Sequence, residues 1–208
     1  MSKSPLKLGI MGGTFNPIHQ GHLVAAEFIR DKFKLDEVLF VPSGKPPHKG
    51  NDEIALPEHR WMMTTLATAS NEHFSVSSIE IERQGESYTR DTISQLKQVY
   101  GEETECYFIT GADAIAEISA WHKTDDLPQM AKFIAVSRPG YKLNIKKIDP
   151  RFQKYTFLVE VPALAISSTE IRKRIKKGQT IKYLLPEVVE KYIHKYNLYG
   201  DKTVYSIS

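Results

Sequence analysis

Short apolar, β-branched or aromatic runs recur along this chain, and segments of helical period separate most of them. The runs are LKLGIM (6–11), EVLFVP (37–42), FSVSSIEI (74–81), CYFIT (106–110), FIAVS (133–137) and YTFLVEV (155–161). Between the first two, GHLVAAEFIRDKF sets Leu23, Ala26, Ile29 and Phe33 on one stripe, with Arg30 and Asp31 off it. A second helix opens at Pro57, a residue suited to a first helical turn, and a third ends at Gly101, a natural helix stop. Strands that alternate with helices predict an α/β fold: a doubly wound, mostly parallel sheet with helices on both faces. Right-handed crossovers then bring the loops at the carboxyl ends of the strands to one edge. Gly12 and Gly13 at the end of the first strand and Gly111 at the end of the fourth should open on that edge.

At 208 residues the chain can bury one substantial core. The expectation is a single domain: a core over about 5–137 and, over about 138–208, a small helical C-terminal subregion packed on it. Its one cysteine, Cys106, excludes an internal disulfide framework and a multi-cysteine zinc site, and reads as a small buried side chain. A net charge of +3 is too small to imply nucleic-acid binding. No apolar run approaches the roughly 20 residues that span a bilayer, and the N-terminus carries no convincing signal peptide, so the expected location is cytoplasmic. The last helix, in LPEVVEKYIHKYNLYG, has apolar faces enough to pack or to pair, which leaves a homo-oligomer open.

Chemistry concentrates in MGGTFNPIHQGH, residues 11–22. Gly12 and Gly13 allow a sharp turn and let a ligand approach the backbone, and a strand-to-helix turn aims N–H groups at an anion. The spacing matches neither the dinucleotide fingerprint nor Walker A, and glycines alone also fit a mere turn. His19 and His22 flank the helix start, partly exposed and able to donate to phosphate oxygens. They could instead bind a metal or be structural, but no nearby carboxylate or thiol completes a ligand set. A second element is ISSTEIR, 166–172: Ser167 and Glu170 form a capping box. Ser168, Thr169 and Arg172 add an anion clamp at a helix start. In FVPSGKPPHK, Lys45 is the cation best placed to reach a phosphate, while His48 and Lys49 also fit a merely rigid loop.

Residues 13–22 resemble the G-T/S-F-D-P-x-H-x-G-H signature of the nucleotidylyltransferase superfamily, with Asn16 where many members carry Asp. ISSTEIR matches its I-S-S-T-x-I-R element. With SYTRDT (87–92), the GAD…W stretch of 111–121 and RPG (138–140), the chain resembles the bacterial nicotinate-nucleotide adenylyltransferase family from about Lys7 to about Tyr199. The resemblance implies a Rossmann-like fold and adenylyl transfer from ATP to nicotinate mononucleotide in NAD biosynthesis. It implies Mg2+ carried on the ATP phosphates instead of in a protein cage, and no nucleic-acid or membrane partner.

By the same resemblance His19, His22, Lys45 and Arg172 are catalytic. Gly12, Gly13, Thr14, Phe15, Gly111, Asp113, Arg138, Ser167, Ser168 and Thr169 bind ATP. Thr89, Trp121 and His122 bind the mononucleotide, Trp121 by stacking on the pyridine ring. Thr89 and Trp121 have plainer roles open to them, as a helix cap and a core aromatic. A sister transferase with another phosphate acceptor would share residues 13–22 but have no use for Trp121. A nucleotide-sensing module would bind ATP without turning it over, and the basic helix at 172–177 leaves a nucleic-acid binder as a third reading.

Overall fold

The computed structural model describes residues 5–45, 54–83, 85–137, 144–162 and 165–200. Its strands are β1 (Lys7–Gly13), β2 (Glu37–Pro42), β3 (Phe74–Val76), β4 (Glu105–Gly111), β5 (Lys132–Ser137) and β6 (Thr156–Glu160). The helices are α1 (Gln20–Phe33), α2 (Pro57–Thr68), α3 (Ile79–Glu82), α4 (Thr89–Tyr100), α5 (Ala112–Ala116), α6 (Leu127–Met130), α7 (Pro150–Gln153), α8 (Ser168–Lys176) and α9 (Glu187–Lys195). The strands form one sheet in the order β3-β2-β1-β4-β5-β6, and every neighbouring pair is parallel. Chain direction across the sheet reverses between β1 and β4. In such sheets a crevice for ligands opens there, beyond the carboxyl ends of the strands.

Successive strand residues point to opposite faces, and the core divides accordingly. Met11, Val38, Phe40, Tyr107 and Ile109 lie on one face, covered by Ala26 and Ile29 of α1, Met63 of α2, Ile171 of α8 and Val189 of α9. Leu8, Ile10, Leu39, Phe108 and Phe133 lie on the other, covered by Ile93 and Leu96 of α4, Ile115 of α5 and Phe152 of α7. Each of the buried Val, Leu, Ile, Phe and Met side chains contributes about 1.5–3 kcal/mol by leaving water. The fold is the doubly wound α/β arrangement that the alternation predicts. Cys106 is buried, and burial pushes its thiol up from the usual range. Among the described residues no helix is long and apolar enough to cross a membrane.

One expected strand is cut short. FSVSSIEI reads as a strand over 74–81, but β3 ends at Val76 and residues 79–82 turn into α3. The Ser77 hydroxyl accepts from the Ile79 N–H at 3.2 Å, and the Ile81 N–H donates back to Ser78 O at 2.8 Å. Serine competition for backbone donors thus favours a turn over the sheet ladder. The turn seats Glu80 against the β2 loop: a Cβ on Gly44 would lie 2.1 Å from Glu80 O, so only glycine permits this approach.

Candidate active site

Where β1 ends, residues 13–17 turn tightly into α1. Phe15 takes φ 46° with its ring buried under Gly13, and the Asn16–Pro17 peptide is cis. His19 is the N-cap residue of α1. Its backbone N–H donates to Nδ1 of His22 at 3.2 Å, which makes Nδ1 the acceptor and puts the proton of a neutral His22 on Nε2. The two imidazoles stack with centroids 3.7 Å apart and planes at 26°, and Phe15 meets His22 edge-on at 5.1 Å. Gly21 makes this possible, because a Cβ there would stand 3.1 Å from the His19 ring. His19 is only 6% exposed, more buried than the partly exposed position the sequence suggests. The Gln20 N–H at the head of α1 is committed to Leu184 O at 3.0 Å, so this helix end offers an anion fewer backbone donors than a bare turn would.

The N-terminus of α8 docks on the same turn. Ser168 Oγ donates to Pro17 O at 2.8 Å, and Arg172 Nη1 donates to Asn16 O at 2.9 Å. Ser167 caps α8 by accepting from the Glu170 N–H at 3.2 Å, while the Glu170 carboxylate pairs with Arg174 Nε at 3.2 Å. A cavity of about 310 Å³ joins Gly12, His19, His22, Gly111, Ser167 and Ser168, with Met11 and Ile109 in its floor. That is the size of a small-ligand site. A Cβ on Gly111 would meet nothing within 4 Å, so the bare backbone there faces open space. Asp113 is exposed in the first turn of α5, which Gly111 caps. Thr169 is exposed and, like Asp113 and Arg172, lies outside the cavity lining.

Thr89, Trp121 and His122 gather on the other face of the sheet. Thr89 is the first residue of α4 and not its cap, which is Tyr88. The Tyr88 ring stacks on His122 at 4.2 Å, and Arg90 pairs with Asp126 at 2.9 Å. Trp121 packs edge-on against Phe108 at 5.9 Å and joins the second core cluster as a partly buried residue. A Cβ on Gly12 would come within 3.2 Å of the Phe108 ring, so Phe108 stands between the first strand's end and Trp121. Lys45 is exposed in the loop after β2, whose Gly44 N–H donates to Ser87 Oγ at 3.0 Å. Arg138, His48 and Lys49 lie outside the described residues.

Beneath the turn runs a polar layer that sequence reasoning missed. Arg60 of α2 is 1% exposed and donates to three carbonyls: Nε to Ala55 O at 3.0 Å, Nη1 to Thr14 O at 2.9 Å and Nη2 to Gly44 O at 3.0 Å. Burial pulls its guanidinium down from the usual arginine range. The Asn16 Oδ1 accepts from the Ala55 N–H at 3.0 Å and from the Tyr199 hydroxyl at 2.9 Å. Burial pushes the Tyr199 phenol well up, against the pull of Arg172 and Arg60. Glu80 is also raised by burial, although hydrogen bonds from Thr92 and Ser87 and the charges of Arg83 and Arg60 oppose the shift. The signal for Arg60 was present: with Met63, Thr64 and Ala67 it makes the buried stripe of α2, a cation at helical spacing among inward-facing residues.

The profile of the cytidylyltransferase-like family matches residues 10–174. A probable nicotinate-nucleotide adenylyltransferase of Thermoanaerobacter sp. (strain X514) is 54% identical over 199 residues, 93% of this chain and 94% of that one. The probable nicotinate-nucleotide adenylyltransferase of Moorella thermoacetica is 53% identical over 200 residues, 94% of this chain and 92% of that one. Among solved structures, the Plasmodium falciparum nicotinic acid mononucleotide adenylyltransferase complexed with NaAD superposes with a TM-score of 0.75 at 25% identity. The match covers 93% of this chain and 97% of that one.

Proposed function

This chain belongs to the cytidylyltransferase-like family and groups there with the nicotinate-nucleotide adenylyltransferases, and from that premise we propose that it joins ATP to nicotinate mononucleotide. The products are nicotinate adenine dinucleotide and pyrophosphate. A 5′-phosphate oxygen of the mononucleotide forms a bond to the α-phosphorus of ATP as the bond to the β-phosphate bridging oxygen breaks, and pyrophosphate leaves with that electron pair. The attacking oxygen is already anionic near neutral pH, so the step needs no protein nucleophile and no base. What remains for the protein is positioning and charge stabilisation.

In this reading His22 turns its Nε2–H and His19 its buried imidazole to the α and β phosphates, with Lys45 and Arg172 balancing the charge on the departing pyrophosphate. Gly12, Gly13, Thr14 and Phe15 let the triphosphate lie against the turn, and Ser167, Ser168 and Thr169 hold it from α8. Gly111 leaves room for the adenosine and Asp113 accepts from its ribose hydroxyls, while Arg138 is given to ATP binding by the family resemblance alone. Thr89, Trp121 and His122 receive the pyridine ring. Magnesium arrives as part of the substrate, Mg·ATP.

The observation that carries the reading is the docking of Ser168 and Arg172 onto the turn that carries His19 and His22. Elements about 150 residues apart in sequence meet there at one cavity, as splitting a triphosphate requires. The second complex of the Plasmodium falciparum enzyme, with APC, was solved on a chain of the same fold (TM-score 0.73). Purified protein given Mg·ATP and, in turn, nicotinate mononucleotide, nicotinamide mononucleotide and phosphopantetheine tests the proposal by product mass. Nicotinate adenine dinucleotide with equimolar pyrophosphate is expected. Product from another acceptor alone, or ATP binding without turnover, overturns it.

A further inference from the structure

Arg60 is a cation in the core with no role in the scheme above. Burying a guanidinium is costly unless its donors are satisfied, and here they are met by carbonyls on three separate segments. Thr14 O belongs to the turn before His19, Gly44 O to the loop that carries Lys45, and Ala55 O to the lead into α2. The connections continue outward on both sides. The Ala55 N–H reaches Asn16, in the same turn as Thr14. Gly44 N–H donates to Ser87 Oγ and Lys45 O accepts from the Ser87 N–H at 3.2 Å, two residues before Thr89. A planar fork fixes both direction and separation of what it binds, which a lysine ammonium cannot do.

We propose that Arg60 is a positioning residue for adenylyl transfer: its fork sets the spacing between the turn that carries the paired imidazoles and the Lys45 loop. Through Ser87 it ties both to the start of α4, beside which the pyridine ring is proposed to sit. The proposal rests on the adenylyltransferase reading. It differs from a plain stabilising role in what it says about turnover by folded molecules. A shift on the order of 1 Å in such a constellation lowers the rate about a hundredfold.

The experiment compares wild type, Arg60→Lys and Arg60→Met at a temperature well below each melting transition, with kcat and KM measured for both substrates. Wild-type turnover in the same assay establishes the underlying reaction, so its absence would count against that reading and not against Arg60. Both variants are expected to fold and to lose tenfold to a hundredfold in kcat. KM for ATP should stay within about threefold, and lysine should do no better than methionine. Near-normal kcat in either folded variant overturns the proposal. Should both fail to fold, Ser87→Ala breaks the next link from the surface side. A drop of roughly threefold or more in kcat supports the proposal, and unchanged kinetics overturn it.

Discussion

The two flanks of the sheet's carboxyl edge are built differently. On the candidate phosphate side, the turn at 13–17 is gripped by hydrogen bonds from α2, α8 and the segment after α9, and His19 is nearly sealed from water. On the candidate pyridine side, Tyr88 and His122 stack near the surface and Arg90–Asp126 pairs with both partners more than a third exposed, an arrangement of small energetic value. The contrast teaches that phosphoryl-type chemistry needs donors held in advance, because reorganisation during the reaction would cancel their benefit. Ring recognition asks only for a flat apolar partner and tolerates a looser surround.

Variants that strike one flank at a time can break this contrast. His22→Ala removes a preorganised donor, so kcat should fall on the order of a hundredfold or more, about 2.7–4 kcal/mol, while the protein still folds. Steady-state kinetics beside a thermal melt checks this, and near-normal turnover would take His22 out of the mechanism. Trp121→Ala should act on the other substrate: KM for the mononucleotide rises roughly tenfold and KM for ATP hardly moves, in keeping with about 0.5–1.5 kcal/mol for an aromatic stack plus lost burial. Equal effects on both substrates would erase the division into flanks.

Gly111→Ala places a methyl in open space, so stability should be unchanged while KM for ATP rises several-fold. An unaltered KM would show that nothing lies against that backbone. The smallest effect belongs to Glu80, between the flanks. The folded state raises its pKa, so folding favours the protonated form, and the stability it contributes at low pH is lost as pH rises through the folded value. Glu80→Gln should therefore match wild type near pH 4 and become relatively more stable by pH 8. Melting curves that stay parallel across this range would refute the assignment.

Much of this was legible in the chain. Unbroken apolar runs in EVLFVP and CYFIT mark strands with both faces buried, and Pro57 and Gly101 stand at the helix ends they announce. The histidines and ISSTEIR were visible because local chemistry demands them. FSVSSIEI misled because apolar β-branched residues resume at Ile79 and Ile81, while serine hydroxyls end the strand at Val76. Arg60 and the Asn16–Tyr199 bond escaped for another reason: their meaning lies in partners 46 and 183 positions away, and no local pattern encodes such a pairing.

That last bond orders events in time. Asn16 leaves the ribosome 183 residues before Tyr199, so the turn that bears the paired imidazoles lacks its phenol clasp until the segment after α9 has been made. The clasp on that turn thus closes only after β6 and α9 have been made.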